Sequence, residues 1–339
     1  MAIVVRSRSK INLGLGIGGV RGDGFHGLVT VYQTLELFDL VTVEARGAGE
    51  TRIVITSNDG RVPVDSRNTC WRMVEGALGA LGVCAEVKVH IQKELPVQGG
   101  MGAGSANAAA ALLGLERELG VKLGDEERMR VAAEVGSDVP LFLIGGAVFG
   151  EGRGEVVRAV QDIPATWCVI AVPEVGVSTP KAFKDWDLRA SQLPEGAESS
   201  RIEELSRALA ACYAGPGTSG ILAEALPEET DGDAAQQDLA EKTLLALVRT
   251  GIGNDFEEVV FPQYPFLREI KRQLMGSESV GSAIVAGLSG SGSALFGLYR
   301  SEEDAGEAQR RVQSLGVKAL ITRTLPRAAY WSDMFAVGH

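Results

Sequence analysis

The sequence predicts an α+β fold in two domains, residues 1–160 and 161–339, and three observations predict it. Its 339 residues exceed what a single hydrophobic core usually holds. Strand-like and helix-like stretches are mixed without a strict β-α-β rhythm, which argues against a doubly wound parallel sheet. A glycine-rich stretch, LPVQGGMGAGSANAAAALLGL at 95–115, joins a clean strand pattern to a clean helix pattern.

Taken in order, residues 3–5, 11–15, 28–37 and 40–45 are rich in Val, Ile, Leu and Thr and broken by glycines, so the first third reads as strands. In EVKVHIQ, residues 86–92, Val87, Val89 and Ile91 share one face. After the glycines, AAAALLGLERELG reads as a helix that stops at Gly120, and 125–135 as a second. A hairpin-like AVFGEGRGEVV closes the first domain. The strand CVIAV, 168–172, opens the second. An acidic insertion near 187–240 follows, with too little apolar content in PEETDGDAA to pack. NDFEEVVFPQYPFLREIKRQL then has a helical period, and SAIVAG, ALFGLY and KALITRTL read as strands.

A net charge of −11 argues against a nucleic-acid partner, which needs clustered Lys and Arg, but not against a phosphorylated small molecule. Cys70, Cys84, Cys168 and Cys212 show no CxxC or metal-like spacing, as expected of reduced thiols in a cytoplasmic protein. No signal peptide or membrane span is expected.

The chemistry concentrates at Gly99, Gly100, Gly102 and Gly104, which precede a helix expected to open at Ser105, Ala106 and Asn107. Glycines let successive backbone N–H groups point inward, and a helix start adds unpaired donors and a positive dipole end, a combination that suits phosphate. Ser105 is expected to cap the helix or to offer its hydroxyl to phosphate or Mg²⁺. A flexible loop feeding a small-residue packing helix is the plainer alternative. No Gly-Lys pair is present, so the Walker A reading fails. The GxGxxG match at Gly14, Gly16 and Gly19 runs into Gly22 and Gly24 instead of a helix, so the Rossmann reading fails too.

Three segments in order, SKINLGLGIGGVRGDGFHGL, the 95–115 loop and GLSGSGSALFG, resemble the GHMP kinases. Within them, R-x-D-G-F-H, GSDVPLFLIGG, GEGRGE and NDFEEVVF resemble the kinases of 4-diphosphocytidyl-2-C-methyl-D-erythritol. The resemblance covers residues 8–185 and 250–299. It implies a mixed-sheet, ATP-binding N-terminal domain and a ferredoxin-like C-terminal one. It also implies ATP and Mg²⁺ as cofactors, a small cytidine-diphosphate-linked substrate phosphorylated on its 2-hydroxyl, and a monomer or homodimer. Asp138 matches the catalytic base and Lys10 the stabilising cation, although the two would also serve as a structural ion pair. Asn68, Gly99, Gly100, Gly102, Gly104, Ser105, Ala106 and Asn107 match nucleotide-binding positions. Asn12, Phe25, His26, Phe183, Gly290, Ser291 and Gly292 match substrate positions, with Phe25 and Phe183 expected to sandwich a cytosine that His26 recognises. Ser289 and Ser293 belong to the same late loop. The metal ligands stay open, with Ser105 the candidate. Gln98 and Ala103 stand where glycine is common, and Ala106 where serine is. Another small alcohol as substrate, or a non-catalytic nucleotide binder, remains an alternative.

Overall fold

The computed structural model describes residues 2–97, 99–192, 253–277 and 281–336, with 202, 203, 206 and 207. Gln98, Cys212 and most of the acidic insertion lie outside the described residues.

Two long strands, β1 (Ile3–Val20) and β2 (His26–Gly47), form an antiparallel hairpin. They run straight through the glycine breaks that the sequence suggests. The ladder absorbs those breaks as register shifts between Arg8 and Lys10, Asn12 and Gly14, and Ile17 and Val20. β2 pairs with β4 (Ala85–Gln92), which takes β3 (Arg52–Ser57) in parallel. β5 (Ala147–Glu151) pairs with the other end of β2 and with β6 (Val156–Ala159). The sheet is therefore mixed.

Helices α1 (Thr69–Leu81), α2 (Ala103–Leu119) and α3 (Asp125–Val135) bury its face. The expectation of strands throughout the first third missed α1. Its buried Cys70, Met73, Val74, Ala77 and Leu78 follow helical spacing, Asn68 caps its start and Gly82 (φ 66°) ends it.

The second sheet is wholly antiparallel, in the order β10 (Lys318–Arg323), β7 (Trp167–Val172), β9 (Leu295–Tyr299), β8 (Val285–Leu288). Helices α4 (Thr179–Ala190), α5 (Glu257–Gln263) and α6 (Pro265–Met275) lie in the chain between β7 and β8. α7 (Glu302–Gln313) lies between β9 and β10. That order and connectivity make the ferredoxin-like arrangement. The helix expected over NDFEEVVFPQYPFLREIKRQL is two helices, because Tyr264 precedes Pro265 and leaves the helical region (φ −128°, ψ 70°).

Ile11, Leu13 and Val29 of the first sheet share a core with Cys168, Ile170 and Phe296 of the second. This shared core places the β1–β2 hairpin between the two layers. The end of the chain returns to the first layer. α8 (Arg327–Ser332) buries Tyr330, whose hydroxyl donates to Phe142 O at 2.6 Å, and β11 (Phe335–Ala336) pairs with Val4 and Val5. Cys70 and Cys168 are buried free thiols and Cys84 is exposed. Burial pushes the Cys70 thiol up to about 12, and that of Cys168 upward as well. Among the described residues no helix is long and apolar enough to cross a membrane.

Candidate active site

The glycine loop lies across the β1–β2 hairpin and against the late loop. Gly99, Gly100 and Gly102 all have positive φ. At Gly102 a Cβ would stand 3.1 Å from Lys10 Cγ and 3.0 Å from Phe142 Cζ, so only a glycine lets the loop settle on Lys10. Gly102 is also the N-cap of α2, with no side-chain capping bond. The helix thus opens at Ala103, not at Ser105, and Ser105 does not cap it. Ala103 is the first residue of the helix. Ala106 is buried in the core beneath the sheet's helices.

A cleft of about 370 Å³ opens along this loop. Asn68, Gly99, Gly100, Gly102, Gly104, Ser105 and Asn107 line it, with Arg67 and Lys93. The Asn68 side chain is committed to structure: its Oδ1 accepts from Cys70 N at 2.8 Å and its Nδ2 donates to Pro63 O at 2.6 Å. Asn107 is buried too, and with its NH₂ turned toward them it donates to Ser7 Oγ at 2.6 Å and Asp39 Oδ2 at 3.1 Å. Asp39 has no exposed surface; it pairs with Lys93 and accepts from the N–H groups of Glu94 and Leu95, both at 2.8 Å. This polar network fixes the strand that leads into the loop. Sequence reading did not single out Ser7, Asp39 or Lys93.

Lys10 is 2% exposed. A buried ammonium needs partners to offset its lost hydration. Its Nζ donates to Asn12 Oδ1 at 2.7 Å, stands 3.4 Å from Asp138 Oδ2 and lies 5.5 Å from the centre of the Tyr32 ring. Asn12 in turn donates to Thr30 Oγ1 at 2.8 Å and accepts from Gly290 N at 3.0 Å. The Tyr32 hydroxyl donates to Asp138 Oδ1 at 3.1 Å. Burial and the Asp138 charge hold the Tyr32 phenol well above its ordinary pKa. Asp138 is brought in by the turn after α3, and its carboxylate keeps about a third of its surface open (32%). A carboxylate facing a fixed ammonium, open on one side, can accept a proton from an incoming hydroxyl.

The late loop closes on the same place. Ser289 Oγ donates to Gly100 O at 2.9 Å, and Asn254 Nδ2 donates to Leu288 O and Gly290 O at 2.8 and 2.7 Å. NDFEEVVF thus supplies the amide that shapes the loop, a role its sequence does not announce. Ser291 Oγ and Thr179 Oγ1 are 2.7 Å apart. Gly292 has φ 91°, and Ser293 is buried.

His26 stacks on Phe183, with ring centres 4.6 Å apart and planes at 16°, and its Nε2 is 2.6 Å from Asp187 Oδ1. Phe183 meets Phe256 edge-on at 5.0 Å. Phe25 is 52% exposed and lies under the Arg153 guanidinium, 4.7 Å from its ring centre. Of the two rings expected to sandwich a cytosine, Phe183 thus carries His26 on one face and Phe25 lies under Arg153. Among the described residues no group of three or more His, Cys, Asp or Glu is arranged to hold a metal ion.

Comparison with known proteins agrees with this layout. The family model described as "GHMP kinases N terminal domain" matches residues 68–146, and "GHMP kinases C terminal" matches 222–318. A 4-diphosphocytidyl-2-C-methyl-D-erythritol kinase from Nocardioides sp. is 39% identical over 237 residues, 69% of this chain and 77% of the relative. One from Caldicellulosiruptor saccharolyticus is 29% identical over 322 residues, 95% of this chain and 97% of the relative. The crystal structure of a 4-(cytidine 5'-diphospho)-2C-methyl-D-erythritol kinase superposes with a TM-score of 0.66 at 24% identity, covering 95% of this chain and 99% of the other. A homoserine kinase from Cytophaga hutchinsonii superposes with 0.65 at 19%, covering 96% and 95%. At these identities the structural matches establish the fold alone.

Proposed function

Since the chain belongs to the GHMP kinases and is a small-molecule kinase, we propose that it uses ATP to phosphorylate the 2-hydroxyl of 4-diphosphocytidyl-2-C-methyl-D-erythritol. The observation that carries the reaction is the Lys10–Asp138 pair, 3.4 Å apart, beside the glycine loop. The relatives named for that substrate carry the choice of acceptor, and the His26–Phe183 stack offers an aromatic surface suited to a base.

In this reading the ATP phosphates lie along Gly99–Gly104 and the uncapped start of α2, where free N–H groups and the dipole favour negative charge. Asp138 takes the proton of the acceptor hydroxyl. The hydroxyl oxygen forms its bond to the γ-phosphorus as the bond from that phosphorus to the β-bridging oxygen breaks, and ADP departs. Lys10 stands close enough to offset the charge that spreads over the transferred group. Asn12 holds Lys10 and the Gly290 backbone in one register, so the cation and the late loop meet the same group.

Mg²⁺ is normally held by one or two protein groups together with phosphates and water, so the lack of a three-ligand cluster among the described residues is compatible with it. The Ser105 hydroxyl, uncommitted to a cap and lining the same cleft, would be the group to hold it. When bound, Mg²⁺ would neutralise charge on the β- and γ-phosphates.

The test is ADP release from Mg·ATP with the cytidyl substrate, with mevalonate, homoserine and galactose alongside. Turnover of the cytidyl substrate alone is expected. Turnover of another alcohol instead, or of none, would overturn the substrate assignment.

A further inference from the structure

We propose that Tyr32 is a positioning residue for Asp138: its phenol holds carboxylate Oδ1, leaving Oδ2, on the Lys10 side, to receive the acceptor's proton. This rests on the kinase reading above and deepens it.

Tyr32 sits on β2 directly across the ladder from Asn12 on β1. A single strand pair therefore carries Lys10, Asn12 and Tyr32. The phenol donates to Asp138 Oδ1 at 3.1 Å while the ring faces Lys10 Nζ at 5.5 Å, so one buried side chain touches both members of the candidate pair. Among the described residues, the partly open Asp138 carboxylate would otherwise be held by Lys10 alone. At 3.4 Å that contact is longer than an ordinary hydrogen bond. It would leave the carboxylate free to turn and present either oxygen.

The GEGRGE run makes room for this contact. A Cβ at Gly150 would come 2.7 Å from Tyr32 Cε2, and one at Gly154 would come 2.4 Å from the Tyr32 hydroxyl. The two glycines leave room for the ring edge and the hydroxyl, which lies nearer Asp138 Oδ1 (3.1 Å) than Gly154 O, also within reach (3.5 Å). Ring packing by itself would need only the first of these clearances. The charged groups facing Tyr32 are Asp138, Glu155 and Lys10. Burial and the two carboxylates keep the phenol protonated, and thus a donor, at neutral pH.

Tyr32→Phe keeps the ring, its packing and the contact with Lys10, and deletes only the hydroxyl. It is expected to lower kcat about 10- to 100-fold, the scale of one hydrogen bond to a charged group, with both KM values and Tm at wild type. In an Asp138→Asn background the same change is expected to cost nothing further. Wild-type kcat, or the full loss repeated in the Asn background, would overturn the proposal.

A second measurement needs no substrate. With tyrosines labelled at Cζ, the Tyr32 resonance is assigned by its absence in Tyr32→Phe. In the wild type it should stay in its protonated position where exposed tyrosines titrate, and in Asp138→Asn its titration should move to lower pH. A Tyr32 titration indifferent to Asp138 overturns the proposal. If the shift is seen but no alcohol is phosphorylated, the Tyr32–Asp138 contact stands and the kinase substrate reading is what fails.

Discussion

Replacing Gly100 by alanine should separate the two loops that build the site. Gly100 has φ 77°, and a Cβ there would lie 1.9 Å from the carbonyl oxygen of Ser289 and 2.9 Å from its carbon. Neither atom is the end of a flexible side chain, so backbone must move. The move sacrifices the bond from Ser289 Oγ to Gly100 O at 2.9 Å and that from Ala294 N to Gly99 O at 3.2 Å. Two hydrogen bonds at about 0.5–1.5 kcal/mol each, and a left-handed alanine at about 1–2 kcal/mol, give a loss of about 2–5 kcal/mol. Chemical denaturation of the ligand-free protein reads that loss, and calorimetry with ATP reads the site. Gly104→Ala is the control. It is exposed and already helical, and its Cβ would sit 3.7 Å from Thr69 Oγ1. Stability should stay level or rise by up to about 1 kcal/mol, while ATP affinity falls because the methyl stands where phosphate approaches. Wild-type stability in Gly100→Ala would refute the loop contact. Wild-type ATP affinity in Gly104→Ala would move the phosphates elsewhere.

Other substitutions probe the remaining parts. Asp138→Asn should lower kcat by about 10²–10⁴-fold with ATP binding by calorimetry nearly intact; unchanged turnover would remove Asp138 from the reaction. His26→Ala strips the ring that covers Phe183 and should weaken binding of the cytidyl substrate by about 1–3 kcal/mol while ATP binds as before. Equal losses for both ligands would make His26 structural. Lys93→Met leaves the Asp39 carboxylate buried without its cation and should cost about 3–5 kcal/mol in denaturant unfolding. A much smaller loss would mean that the backbone donors of Glu94 and Leu95, with Asn107, suffice.

Much of the local architecture is legible in the residues. The alternation in β4, the stop of α2 at Gly120 and the crowding of glycines before α2 are short-range features, set by side-chain period and by backbone freedom at single positions. The ordered motifs also pointed to Lys10, Asp138 and the two Gly-rich loops. α1 was missed although Cys70, Met73, Val74, Ala77 and Leu78 already follow helical spacing, because Gly76 and Gly79 inside it resemble the glycine breaks between the neighbouring strands.

The sequence by itself therefore determined several of the regular segments, the places where glycines crowd, and which chemistry is within reach. Tertiary structure alone decided the pairings. Tyr32 and Asp138 are 106 residues apart, Ser289 and Gly100 are 189 apart, and Asn254, just ahead of α5, reaches Gly290 36 residues on. It also decided that His26, and not Phe25, lies on Phe183, and that β11 closes on β1. Periodicity and propensity act over a few residues, whereas these contacts depend on how two sheets share one core. No local pattern specifies that packing.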